Sequence, residues 1–245
     1  FDQRGAGKSL PAGSVEANTT ADLVGDVEQL REHLGVERWD LLVGGSWGST
    51  LALAYAQEHS SRVRAMVLYS IFLPSQRAIN WLYSPGGASD FFPDAYQKFV
   101  SHFPCSERSA VIESLYRRVT SPDDGVRLPA RASHARWALT CLSLSPDADT
   151  IDRIASKPEE LGDGCVIELH YMRHGAFLEE GQILRDCYKI GHIPCVILHG
   201  RYDMMCAPTG AWQLHQALPL SELHFVPESG HSSSLAPRLK SAVVE

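Results

Sequence analysis

The five residues Gly44-Gly45-Ser46-Trp47-Gly48 constrain this chain more than any other stretch. They match G-x-S-x-G and fall between a short apolar run, Trp39 to Val43, and a segment of helical composition, residues 47–58. A strand that turns so tightly into a helix strains the serine backbone and needs small neighbours. Gly44 and Gly48 are expected to let the two elements approach while Ser46 Oγ projects from the sheet edge. The backbone N–H of Trp47, at the helix start, would face a developing oxyanion and gain from the helix dipole. A serine hydroxyl is a poor nucleophile at neutral pH, so this turn demands a base and a group to orient it.

The surrounding pattern is α/β. Asn18-Thr19-Thr20 offers capping side chains ahead of Leu23, Val27, Leu30 and Leu34 at helical spacing, and Gly35 ends the run, which predicts a helix over 20–34. Val63 to Ile71 and Ile193 to His199 are short and apolar without alternation, as in parallel strands covered on both faces. Between about 73 and 190 the pattern changes to aromatic and Pro-rich turns with amphipathic stretches around 94–120 and 130–142, as an inserted helical cap would have. Beyond it come a loop, a helix near 208–218, a strand over 223–226, a loop bearing His231, and a closing segment with Pro237 near its start. The expected organisation is a core of residues 1–72 and 191–245 and a cap of residues 73–190.

Asp203 follows the strand at 193–199 through Gly200-Arg201-Tyr202, which puts its carboxylate at the carboxyl end of a sheet strand, where open α/β sheets place ligands. The bland alternative is a turn aspartate capping the helix near Pro208. His231, in Glu228-Ser229-Gly230-His231-Ser232, sits where a loop can carry an imidazole over the sheet edge. His33, His59, His102 and His134 lie in polar helical surroundings and read as surface residues, His224 falls inside a strand, and His199 is the serious rival. Ser46, Asp203 and His231 follow the chain order of α/β-hydrolases, opposite to chymotrypsin-like or subtilisin-like chains.

The formal net charge of −7 with scattered Lys and Arg gives no basic stripe for nucleic acid or an anionic membrane. No run of eighteen apolar residues or secretory leader is visible, so a soluble protein is expected. The six cysteines are dispersed, without CxxC or metal-ligand spacing, and read as reduced thiols in a cytoplasmic setting. The chain opens on Phe1, and its first residues read as the end of a buried strand entering a polar turn, as in a fragment whose opening strands lie upstream.

These residues resemble the prolyl aminopeptidases (proline iminopeptidases), serine peptidases of the α/β-hydrolase superfamily. Asp2-Gln3-Arg4-Gly5-Ala6-Gly7-Lys8-Ser9, Asn18-Thr19-Thr20 with Asp22-Leu23, Gly44 to Ser49, Leu51 to Gln57, Gly200 to Asp203 and Gly230-His231-Ser232 all look like that family's segments. The resemblance implies release of N-terminal proline from small peptides through an acyl-enzyme, without metal or organic cofactor. Ser46 would be the nucleophile, His231 the base, Asp203 the orienting carboxylate and Trp47 an oxyanion donor. Glu168, before His170-Tyr171, falls where the family carries a carboxylate for the substrate amine. Cys206 matches a family cysteine near the triad aspartate, which implies sensitivity to thiol reagents.

The chain departs from the family at three points. The His-Gly-Gly-Pro-Gly loop, upstream of the Asp2 segment in the family, is absent, and losing its oxyanion donor would raise the barrier by on the order of 3 kcal/mol. Arg136-Trp137-Ala138 stands where the family has Trp-Glu, so amine recognition would rest more on Glu168. Ala6 replaces a frequent cysteine, a change expected to be neutral. Two other readings follow: a broader esterase or amidase on the same fold, or a non-catalytic fragment lacking the oxyanion loop. A buried Asp2–Arg4 arrangement is expected to hold the loop beside the nucleophile, and Trp81, Tyr83, Phe91 and Phe92 either line a proline pocket or pack the cap on the core.

Overall fold

The structure, a computed structural model, describes residues 1–231. Ser232 and the closing segment with Pro237 lie outside the described residues. Four strands, β1 (Leu42–Gly45), β2 (Met66–Tyr69), β3 (Cys195–Gly200) and β4 (Ser221–Val226), form one parallel sheet in the order β1-β2-β3-β4. Parallel neighbours need crossovers, and the chain supplies helices for them. Helix α1 (Thr20–His33) precedes the sheet, α2 (Trp47–Glu58) joins β1 to β2, and α11 (Thr209–Ala217) joins β3 to β4. The long excursion between β2 and β3 carries α3 (Gln76–Tyr83), α4 (Ala88–Phe91), α5 (Pro93–Ser101), α6 (Val111–Val119), α7 (Asp124–Leu142), α8 (Ala148–Ala155), α9 (Gly164–Arg173) and α10 (Gln182–Arg185).

Alternation along β3 divides its side chains between two packing environments. Cys195 and Ile197 join Leu23, Leu53, Tyr55 and Leu214 in the main core, while Val196 and Leu198 pack with Val226 and Tyr69. A separate core, around Trp137, Phe99, Phe103 and Leu115, forms among the helices of the excursion. Helix α9 serves both, with Ile167 and Tyr171 in the main core and Val166 and Leu169 in the second.

β1, β2 and β3 are shorter than their apolar runs, while β4 begins two residues before the expected 223. β2 stops at Tyr69 because Ser70 takes φ 48°, and Val63 reaches only an isolated bridge to Trp39. α7 begins six residues before the sequence stretch at 130, at Asp124, because Asp123 caps it through Gly125 N–H and Pro129 is absorbed within the helix. α1 starts as expected. Thr19 accepts from Asp22 N–H, Asp22 accepts from Thr19 N–H, and Gly35 ends the helix at φ +65°.

α1 and α2 are joined by ionic and hydroxyl contacts at one carboxylate. Arg31 reaches both Glu28 oxygens at 2.6 and 2.9 Å, and the buried Tyr55 hydroxyl donates to Glu28 at 2.7 Å. Hydrogen bonding from Arg31 holds the Glu28 carboxyl down at about 2 against an ordinary 4.5. A depressed carboxyl stabilises the fold above its unfolded pKa, and that contribution is lost as pH falls from about 4.5 toward 2. Glu28→Gln is therefore expected to narrow the gap in Tm between about pH 6 and about pH 3, read by circular dichroism.

Candidate active site

Ser46 ends the β1 turn in a conformation that L-residues rarely adopt, φ 54° and ψ −123°. Its N–H donates to Tyr69 O at 3.1 Å, and its carbonyl accepts from Ser49 N–H and the Ser49 hydroxyl at 2.9 and 2.7 Å. These bonds fix the turn from β2 and from the first turn of α2. A Cβ on Gly44 would lie 2.3 Å from Gly48 O, and one on Gly45 would lie 2.1 Å from the Tyr69 ring. Gly48 meets nothing within 4 Å, so the expected demand for a small residue falls on Gly44 and Gly45, with only the Gly48 backbone in the close approach. Trp47 N–H opens α2, and its indole donates to Gln3 Oε1 at 2.9 Å.

Asp203 is fully buried and its two oxygens have different partners. Oδ1 accepts from Met205 and Cys206 N–H at 3.0 and 2.8 Å, while Oδ2 faces His231 Nδ1 at 2.8 Å. An aspartate that accepts from Nδ1–H leaves Nε2 unprotonated and free to take a proton. The His231 loop is pinned on both sides of its peptide unit. His231 N–H donates to Leu142 O at the end of α7 at 3.1 Å, and the buried Ser70 hydroxyl donates to His231 O at 2.6 Å.

His199 is buried in the centre of this arrangement, yet its nitrogens are occupied. Nδ1 accepts from Ile71 N–H at 3.0 Å, and Nε2 lies 2.9 Å from Cys206 O and 3.4 Å from Asp203 Oδ2. Burial pushes its pKa down. The rival imidazole thus ties β2 to the Asp203 turn and has no nitrogen left for Ser46.

Ser46 and His231 line a cavity of about 430 Å³ that Glu168 also faces. Its walls are mainly apolar, including Phe72, Ile79, Leu82 and Met172. The Glu168 side chain is 29% exposed and accepts from the Tyr83 hydroxyl at 2.6 Å, with His134 Nε2 at 3.6 Å from its other oxygen. Burial works to raise the Glu168 pKa, but His134, the Tyr83 hydroxyl and His231 outweigh it, so the carboxyl is held below its ordinary value.

A family model for the alpha/beta hydrolase fold matches residues 1–236. The chain is 46% identical over 234 residues to a probable proline iminopeptidase of Leptolyngbya boryana, covering 95% of this chain and 72% of that protein. It is 44% identical over 238 residues to the proline iminopeptidase of Xylella fastidiosa Temecula1, covering 95% of this chain and 74% of that one. The chain belongs to the proline iminopeptidase family of α/β hydrolases. Among solved structures, an alpha/beta fold family hydrolase from Bacillus anthracis superposes with a TM-score of 0.63 at 20% identity, covering 99% of this chain and 77% of that one. That likeness concerns the fold alone.

Within this member of the proline iminopeptidase family, two further expectations are corrected and one open alternative is resolved. His134 is buried, 5% exposed, and faces Glu168 and Tyr83, because Ala130, His134, Trp137 and Cys141 form one inward stripe of α7. The 3–4 spacing of that stripe is the signal that could have found it. Arg4 pairs with Asp26 on α1, through two bonds of 2.6 Å, and Asp2 is exposed and accepts instead from Lys8 N–H at 2.8 Å. Of the aromatic stretch only Tyr83 lines the cavity; the Trp81 indole donates to Met204 O, and Phe91 is 59% exposed. Cys206 is buried, and burial pushes its thiol well up, which disfavours the reactive thiolate. All six cysteines are free. Among the described residues no helix is long and apolar enough to cross a membrane.

Proposed function

We propose that this chain is a serine aminopeptidase that releases N-terminal proline from small peptides. Ser46 attacks the prolyl carbonyl as His231 Nε2 takes the hydroxyl proton, and Asp203 holds the imidazole in the tautomer that allows it. The Trp47 N–H donates to the oxyanion. Collapse breaks the C–N bond, His231 returns the proton to the leaving amine, and water then hydrolyses the prolyl ester on Ser46 by the same route. These steps call on no metal or organic cofactor. In this reading residues 73–190 act as the cap over a core of 1–72 and 191–245. The substrates are free peptides in a reducing, cytoplasmic setting, with neither nucleic acid nor membrane as partner.

The observation that carries the reading is a single carboxylate, Glu168, facing the same apolar cavity as Ser46 and His231. A cationic amine loses its hydration in such a cavity and needs an anion there. Release of a chromophoric amine from a prolyl substrate with a free imino group, beside its N-blocked analogue and a Ser46→Ala control, tests it. Cleavage of the free form alone, abolished in the control, is the expected result. Glu168→Gln is expected to raise KM for the free form by about thirtyfold, the worth of one charged hydrogen bond. Ala138 also lines the cavity, where the family resemblance led to a second carboxylate. That observation favours a broader esterase or amidase, which equal cleavage of the N-blocked analogue would establish.

A further inference from the structure

Tyr83 from α3 and Glu168 from α9 line one part of the cavity, and the buried His134 from α7 lies directly behind them. His134 lies one helical turn before Ala138, on the same side of α7. The Tyr83 hydroxyl has one proton and gives it to Glu168 Oε1 at 2.6 Å, so at 3.2 Å from His134 Nε2 it can only accept. His134 therefore carries its proton on Nε2, the nitrogen 3.6 Å from Glu168 Oε2. The second carboxylate oxygen thus faces an imidazole with nothing bonded between them. A second proton, taken at Nδ1, would make that neighbour a cation.

We propose that His134 is a specificity-determining residue of this pocket: in its neutral form it leaves the Glu168 charge for a substrate ammonium, and in its protonated form it cancels that charge. The inference rests on the reading of Glu168 as the amine site and deepens it. With neutral His134 the cavity end is anionic and selects a protonated imino group. With protonated His134 the pair is neutral, and an arriving ammonium meets a like charge beside its partner.

The other groups around the pair do not share the titration. From α3, Tyr83 is pushed well above its ordinary value by burial; from α9 and α7, Cys165 and Cys141 are pushed up to about 11 and about 12 by burial, and from the core side burial also raises Cys206. Glu168 itself is held below its ordinary value, so it is ionised through the range in which an imidazole titrates. The remaining group is His231, which also acts on Glu168; it is present unchanged in His134→Gln, so the difference between the two proteins isolates His134.

The test compares KM for a chromogenic prolyl amide with KM for its cyclopentanecarbonyl analogue, in which a ring CH2 replaces the NH2+, from about pH 5 to about pH 8. The prolyl-to-cyclopentyl ratio is expected to climb as pH falls, approaching about tenfold per pH unit below the point where His134 protonates, as one-proton linkage requires. His134→Gln keeps an N–H donor for Tyr83 but cannot charge, and is expected to leave only the smaller climb that His231 causes. A ratio that is flat in the unaltered protein, or that climbs as steeply in His134→Gln, overturns the proposal. A prolyl KM unchanged in Glu168→Gln overturns instead the reading of Glu168. Should His134→Gln not fold, NMR titration of the His134 imidazole in the Ser46→Ala protein serves, with and without prolinamide. Bound amine is expected to lower the midpoint by at least about half a unit, a threefold coupling; binding without a shift overturns the proposal.

Discussion

Replacing Asp203 by asparagine is expected to lower kcat by about 10⁴-fold, a loss of the size seen when a triad aspartate becomes an amide. The partners at this position show why. Oδ1 accepts two backbone N–H groups, from Met205 and Cys206, and an amide can satisfy both only by placing its oxygen there. Its NH2 then faces His231 Nδ1 and donates to it, which moves the imidazole proton to Nε2. A base protonated on the nitrogen that should receive the serine proton cannot act. The alternative placement leaves two buried N–H donors facing an NH2, at a cost of about 1–3 kcal/mol for each unsatisfied group. Steady-state kinetics with unchanged KM and an intact thermal transition would check the first outcome.

The second large effect is expected from Gly200→Ala, at the end of β3. A Cβ there would sit 2.1 Å from Gly230 O and 2.7 Å from Ser229 O, and neither backbone atom can rotate away as a side chain could. The His231 loop must shift, yet Gly230 is itself confined, since a Cβ on it would lie 2.8 Å from Leu144 N. Stability is expected to fall by about 3 kcal/mol, at the upper end for overpacking. A displacement of His231 by about 1 Å would take a further 10²-fold from kcat. Urea denaturation and kcat in the same preparation measure both, and an alanine variant with native values for each would show that the loop yields freely.

The convergence of Ser46, Asp203 and His231 was legible in the chain because each follows a strand. Ser46, Asp203 and His231 come after β1, β3 and β4, and a parallel sheet brings those ends to one edge whatever the intervening length. The sheet itself was readable from apolar runs, with errors of two or three residues where a turn such as that at Ser70 ended pairing early. The polar end of the cavity was not legible as a whole. Glu168 came forward through family resemblance, but its partners His134 and Tyr83 lie on two other helices, at separations of 34 and 85 residues, and no local pattern links them. His134 looked superficial because Ser133 and Arg136 flank it, although a helix buries residues by their period and not by their neighbours. The Arg4–Asp26 pair was missed for the same reason, since Asp2 is near in sequence but Asp26 is near in space.

The bond from His231 N–H to Leu142 O couples the helical excursion between β2 and β3 directly to the loop that carries the proposed base. An outward movement of the end of α7 would cost that bond and leave the proposed base held from the sheet side alone, by the Ser70 hydroxyl and Asp203.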